Sequence, residues 1–270
     1  SLDSWFVVCN GDSLFQVNLR AIAQLPEQGF MGRIALRRVD DPTRFGTVVL
    51  DNNVITGFFE KDPKAMGPVL INAGIYLLSR DVVRTISAPS SIEQDVFPTL
   101  ATQGALEGME LSGYFLDIGL PDTYETACRE ILPRFNRPAV FFDRDGVLNV
   151  DTGYTHDPAN LVWIEGAREA IRRVNDAGWL ALVVTNQAGI ARGLFGLDDM
   201  LAFHNQMQSE LANVGAHIDD FFYCPFHKDG TIAAFRQDNH PDRKPNPGMI
   251  LAAIERWQVC VKESFLVGDQ

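Results

Sequence analysis

Asp143 and Asp145 stand one residue apart at the end of an apolar run, Ala139–Phe142, with Gly146 directly after them. A short, wholly apolar run ending in acids and a glycine reads as a buried parallel strand that delivers carboxylates to its C-terminal edge, where open α/β sheets bind ligands. A carboxylate there can attack phosphorus and form an aspartyl-phosphate. The attack of one anion on another calls for a Mg²⁺ held by an acid cluster. A second carboxylate nearby can protonate the leaving alkoxide and then activate water. Asp143 is thus read as the nucleophile and Asp145 as the general acid/base. A calcium loop is the competing reading, but Gly146 comes two positions too early for it.

Those acids need a scaffold, and the second half of the chain supplies its signals. Gly166–Ala177 and Asp198–Gly215 have helical apolar periodicity, and Asn246 and Pro247 read as the cap and first turn of another helix. Between them lie apolar runs at Trp179–Val184, His217–Tyr223 and Ser264–Val267. Strands alternating with helices imply a doubly wound parallel sheet. Its polar tips would converge at one edge: Asp143 and Asp145, Thr185 and Asn186 as phosphate hydrogen-bonding groups, Lys244 as a neutralising cation, and Asp269 as a further metal ligand.

In the first half, two acids also fall at strand tips, Asp12 after Trp5–Cys9 and Asp117 after Tyr114–Leu116. Together they could hold one Mg²⁺ between the phosphates of a nucleotide and a sugar phosphate, with Lys61 neutralising charge. Short helices are expected at Leu19–Leu25, near Asp81–Ile86 and at Ile92–Thr102, and a longer one from Pro121 to about Leu132. The prolines at 133 and 138 bracket a linker, which gives domains at 1–133 and 134–270.

The chain has 270 residues, a net charge of −12 and 46% hydrophobic residues. The charge disfavours nucleic acid or an anionic membrane as a partner. No run is long enough to span a membrane, and the four scattered cysteines suggest a reducing, cytoplasmic setting. The absence of an initiator Met and the strand-like run at each end predict a first domain lacking its N-terminal part and a second lacking its C-terminal part.

The first half resembles the sugar-1-phosphate nucleotidyltransferases, through Asn10-Gly-Asp12, Arg44-Phe-Gly46, Phe59-Glu-Lys61, Asn72-Ala-Gly-Ile-Tyr76 and Leu116-Asp-Ile-Gly119. That resemblance implies a Rossmann-like domain with Asp12 and Asp117 as metal ligands. It puts Gly46, Glu60, Lys61 and Asn72 in a sugar-phosphate pocket. The family's glycine-rich nucleotide loop lies upstream of Trp5–Cys9 and is not in this sequence, so nucleotidyl transfer is not expected of this stretch alone.

The second half resembles the haloacid dehalogenase superfamily, in the branch of the D,D-heptose 1,7-bisphosphate 7-phosphatases and histidinol phosphatase. The carrying motifs are Phe142-Asp-Arg-Asp-Gly-Val-Leu-Asn149, Asp151-Thr-Gly-Tyr154, Thr185-Asn-Gln-Ala-Gly-Ile-Ala-Arg-Gly193, Cys224-Pro225 and Arg243-Lys-Pro-Asn-Pro-Gly-Met249. The resemblance implies that Mg²⁺ is held by Asp143, the Asp145 carbonyl and Asp269. It assigns substrate contacts to Asp151, Gly153, Tyr154, Thr185, Asn186, Gln187 and Arg243, and phosphoryl stabilisation to Lys244.

The branch usually holds a structural zinc in its long loop; here the matching positions are Cys224, Phe226, His240 and Asp242, so only the cysteine is kept and a structural Zn²⁺ is not expected. A rearranged set would be Cys224, His227, His240 and Asp242. The two resemblances together imply a bifunctional enzyme of nucleotide-activated heptose synthesis, acting on sugar phosphates and a nucleoside triphosphate, with a guanylyl group expected from pathway logic. The alternatives are a histidinol-phosphate or other sugar-phosphate phosphatase, or a catalytically incomplete sugar-phosphate-binding fragment.

Overall fold

The computed structural model describes residues 3–43, 45–59, 67–86 and 90–269. The chain divides into two compact units, Ser1–Cys128 and Arg129–Gln270. Glu60 and Lys61, like Arg44 of the Phe-Gly motif, lie outside the described residues.

The first unit runs β1 (Trp5–Cys9), β2 (Ser13–Phe15), α1 (Leu19–Ile22), β3 (Gly32–Val39), β4 (Thr47–Asp51), β5 (Val54–Phe59), β6 (Val69–Ser79), α2 (Arg80–Thr85), α3 (Phe97–Thr102), β7 (Leu106–Glu110), β8 (Phe115–Asp117) and the start of α4 (Pro121–Arg134), which continues into the second. Its main sheet has the order β1-β6-β3-β7-β5-β4 and is mixed: β3 and β7 are parallel, the other pairs antiparallel. Alternation along β3 decides the two faces. Ile34 and Leu36 join Ile55, Phe97 and Leu106 on one side, while Ala35 joins Phe15, Ile22 and Ile75 on the other.

Two expectations for this unit change, and one strand is unforeseen. The first helix stops at Ile22, not Leu25; Asn18 caps it by accepting from Arg20 N at 3.1 Å, and the buried Arg33 guanidinium takes the Ile22 carbonyl at 2.9 Å and that of Gln24. β7 has no strand-like composition (Leu-Glu-Gly-Met-Glu) and forms because β3 offers it a partner. α4 runs on to Arg134, past the start of the expected proline-bracketed linker, since a proline in a last turn removes a single hydrogen bond.

The second unit continues with β9 (Ala139–Phe142), α5 (Ala167–Asp176), β10 (Leu180–Asn186), α6 (Ala188–Ala191), α7 (Leu197–Ala212), β11 (Asp220–Cys224), α8 (Gly248–Trp257) and β12 (Phe265–Val267). The sheet is parallel throughout, in the order β11-β10-β9-β12. Val140, Phe142, Ala181 and Val183 face α5 and α7; Phe141, Leu180, Leu182 and Val184 face Met249 and Ala253 of α8. Burial on both faces explains why β9 and β10 read as continuous apolar runs, whereas all three residues of β12 are exposed. Each fully buried Leu, Val or Phe here contributes roughly 1.5–3 kcal/mol. The chain order reverses direction between β9 and β12, and a cleft at the carboxyl ends of such a pair is where this sheet class binds ligands.

Two local readings are corrected in this unit. The third strand is Asp220–Cys224, shifted from 217–223, because His217 is held in the preceding turn by its N–H on Asn175 Oδ1 at 2.8 Å. Asn246 does not cap α8. Its amide donates to Asn239 Oδ1 and the His240 carbonyl, at 2.8 and 2.9 Å, and Pro247 occupies the cap position.

Candidate active site

Asp143 follows the last residue of β9, and its N–H still donates to Val267 O of β12 at 2.9 Å. The strand ladder therefore fixes its backbone to both sides of the switch point. Its Oδ1 accepts from Arg144 N at 2.7 Å, and its Oδ2 forms an ion pair with Lys244 Nζ. Lys244 is itself clamped: its N–H donates to Asn186 Oδ1 at 3.0 Å and its carbonyl accepts from Asn186 Nδ2 at 3.3 Å. The Asn186 amide, expected on substrate, is thus occupied with the lysine backbone.

After Asp145 the chain bends at Gly146, whose φ is +83°, and the bend brings in Asp269. A Cβ on Gly146 would lie 2.8 Å from Asp269 Oδ2, so only glycine lets that carboxylate approach. Asp143, Lys244 and Asp269 therefore come together around one loop. Asp143 and Asp269, with a backbone carbonyl and waters, suit Mg²⁺, which is usually held by one or two carboxylates. Among the described residues no group of three or more His, Cys, Asp or Glu is gathered to hold a metal.

Asp145 is held from every side. Its Oδ1 accepts from Arg144 Nε at 3.1 Å, Arg144 Nη2 at 2.9 Å and Asn149 Nδ2 at 3.0 Å; its Oδ2 accepts from Arg144 Nη2 at 2.9 Å and Gln187 Nε2 at 3.0 Å. Gln187 Nε2 also donates to Thr185 Oγ1 at 2.8 Å, which leaves the hydroxyl hydrogen of Thr185 for another acceptor. Gln187, expected among the substrate contacts, links Thr185 to Asp145 through its amide.

Arg144 lies wholly buried between the two acids. Its Nη2 also donates to Thr155 O at 2.6 Å, tying in the loop with Asp151, Gly153 and Tyr154. There Asp151 Oδ1 accepts from Gly153 N at 2.8 Å, and Arg192 stacks over the Tyr154 ring. Arg243 donates to Phe226 O at 3.2 Å. Sequence reasoning missed Arg144, Asn149 and His204. The signals were a charge inside an otherwise buried motif and a histidine on the apolar face of α7, with Met200, Phe203, Met207 and Leu211. Burial, reinforced by the Arg144 charge, pushes the His204 imidazole down to about 3.

The long loop is built on rings. Phe226 stacks on His240 at 4.0 Å and 4°, Cys224 Sγ lies 4.0 Å from His240 Nδ1, and burial pushes the Cys224 thiol up. His227 Nδ1 instead accepts from Asp229 N at 3.0 Å. The residues do not fit a closed N/S site of the kind a structural zinc needs.

In the first unit, pairing of β2 with β8 sets Ser13 opposite Asp117, and Ile118 N donates to Asp12 O at 2.7 Å. The two acids so converge on a cleft of about 450 Å³ that also contains Gly46 and Asn72. Gly74, at φ +76°, lets the Asn10 side chain pass within 3.1 Å of where its Cβ would be. Asn72 Nδ2 donates to Glu93 Oε1 at 2.8 Å and to the buried Tyr76 hydroxyl at 2.9 Å, and Glu93, unflagged by the sequence, lines the cleft too.

A parallel sheet with an acid pair at its switch point, a lysine on the first acid and a further acid across the bend defines a phosphohydrolase of the haloacid dehalogenase type. The chain is 46% identical over 133 residues to the D-glycero-beta-D-manno-heptose-1,7-bisphosphate 7-phosphatase of Rhodopseudomonas palustris, covering 49% of this chain and 73% of that protein. The chain belongs to that phosphatase family. Residues 2–134 match the nucleotidyl transferase family model. Among solved structures, the D,D-heptose 1,7-bisphosphate phosphatase from B. bronchiseptica, complexed with magnesium and phosphate, is 34% identical, with 49% of this chain and 70% of that one covered and a TM-score of 0.44. HddC from Yersinia pseudotuberculosis is 27% identical over 48% of this chain and 56% of its own, with a TM-score of 0.41. Among the described residues, no helix is long and apolar enough to cross a membrane.

Proposed function

We propose that the second unit hydrolyses the 7-phosphate of a heptose 1,7-bisphosphate through an aspartyl-phosphate on Asp143. The first unit belongs to a nucleotidyl transfer, with a guanylyl donor, onto the heptose 1-phosphate that results. The observation that carries the reading is the meeting of Asp143, Lys244 and Asp269 at one sheet edge. Lys244 neutralises charge beside the nucleophile, and the Thr185 hydroxyl and loop N–H groups offer donors to phosphoryl oxygens. Asp145 protonates the leaving sugar oxygen and later takes a proton from the attacking water. Asp143, the Asp145 carbonyl and Asp269 would hold Mg²⁺, which when bound supplies positive charge between the carboxylate and the phosphate. Asp12 and Asp117 would hold the metal of the transfer reaction, with Gly46, Glu60, Lys61 and Asn72 around the sugar phosphate. The domain limits 1–133 and 134–270 and a cytoplasmic location belong to the same reading.

The experiment is Asp143→Asn in the full chain, with phosphate release from D-glycero-β-D-manno-heptose 1,7-bisphosphate measured with Mg²⁺. Release should fall at least ~10³-fold with unchanged circular dichroism, as expected when a nucleophile is removed. Near-normal turnover would refute the covalent route, and faster turnover of histidinol phosphate would refute the sugar assignment.

A further inference from the structure

His204 is out of place by composition. It sits on the face of α7 that buries Met200, Phe203, Met207 and Leu211, is 4% exposed, and stacks on Phe221 with centroids 4.1 Å apart. An apolar side chain would fill this position without cost, whereas His204 leaves its buried Nδ1 without a hydrogen-bond partner. What it supplies is at the other nitrogen. Nε2 lies 3.3 Å from Arg144 Nη1. A guanidinium only donates, so Nε2 must carry the lone pair and the ring must be neutral.

The donating arginine is fully buried, packs over the Phe203 ring at 4.7 Å, and uses its Nε and Nη2 donors on Thr155 O and on both oxygens of Asp145. A neutral acceptor suits this place. It fixes the guanidinium plane without a second negative charge to compete with Asp145 for it.

We propose that His204 is a positioning residue, which through Arg144 fixes the Asp145 carboxyl for protonating a poor leaving group. This rests on the phosphatase reading above. In the step concerned, an Asp143 oxygen forms a bond to phosphorus and the phosphorus–sugar oxygen bond breaks. The electron pair leaves on the sugar oxygen, and that oxygen takes the Asp145 proton. Aryl esters whose phenolate leaves unprotonated do not need that proton, so the role of His204 shows as a dependence on leaving group.

The test compares kcat/KM, which reports events up to phosphoryl transfer, for the heptose bisphosphate and for p-nitrophenyl phosphate in the full chain. His204→Met should lower the sugar phosphate value about 10- to 100-fold, the lower part of the range for general acid catalysis, and the aryl value less than about 3-fold. Arg144→Lys reads the same relay one link on and should show the same selectivity, which serves if the first variant does not fold. His204→Gln, which keeps an acceptor oxygen, should recover most of the loss. A parallel fall on both esters, or no change on either, overturns the proposal. A wild-type chain that hydrolyses neither ester would overturn the phosphatase reading itself, and this inference with it.

Discussion

Lys244 and Asp143 are joined by an ion pair although one lies in the loop after β11 and the other directly follows β9. The pair is only partly exposed, with side chains at 26% and 21%. Asn186, from the strand between them in the sheet, grips the lysine backbone at both its N–H and its carbonyl. Three elements thus hold one cation beside the Asp143 carboxylate before any substrate arrives, the kind of preorganisation that stabilises developing charge.

Lys244→Met removes that cation and keeps the bulk of the stem. Phosphate release should fall by about 10²- to 10³-fold, as for the loss of one electrostatic stabiliser. A colorimetric phosphate assay checks it, with circular dichroism to confirm the fold; a fall under 3-fold would contradict the role.

Gly146→Ala places a methyl group 2.8 Å from Asp269 Oδ2 in a backbone conformation with φ +83°. The left-handed backbone alone should cost about 1–2 kcal/mol. The displaced carboxylate should raise the Mg²⁺ concentration for half-maximal activity at least several-fold, read from a metal titration of turnover. An unchanged requirement would separate Asp269 from the metal.

His204 should make the second unit acid-sensitive. Its folded-state value lies near 3, below the usual 6.5, so between those limits the unfolded chain binds a proton that the folded one refuses. Stability from this group is complete above about pH 6.5 and declines as pH falls toward 3, by up to about 1.4 kcal/mol per pH unit. Urea midpoints from pH 7 to 4 should fall less steeply in His204→Met than in the parent chain; identical slopes would contradict the shift.

In the first unit, Arg33 Nε donates to Glu107 Oε2 at 2.6 Å with both residues buried, and Asn53 Nδ2 donates to Glu107 Oε1 at 3.3 Å. Arg33→Met leaves a buried carboxylate without its cation and frees the carbonyls that end α1. A loss of about 3–5 kcal/mol is expected, measurable as a drop in the denaturant midpoint of the first transition. The double variant with Glu107→Leu should recover part of it.

The runs at 139–142 and 180–184, with acids or polar residues after them, were legible because buried parallel strands announce themselves as apolar runs, whereas Lys244 lies in the long loop after β11 and stood out through the motif around it. β7 was not legible, since Leu-Glu-Gly-Met-Glu becomes a strand only by pairing with β3. Nor was the division of labour among the amides. The family resemblance puts Asn186 and Gln187 at the substrate; the structure adds that Asn186 grips Lys244 and Gln187 grips Asp145.

By itself, the order of residues determined the strand tips, the carboxylates that stand at them and the membership in a phosphatase family, because those depend on local composition and on residue type. Only the tertiary structure decided that Arg144 turns inward to Asp145, that a neutral His204 backs it, and that Gly146 bends to admit Asp269. Those are relations between residues distant in sequence, and a hydrogen bond's partner depends on what the packed core leaves within reach.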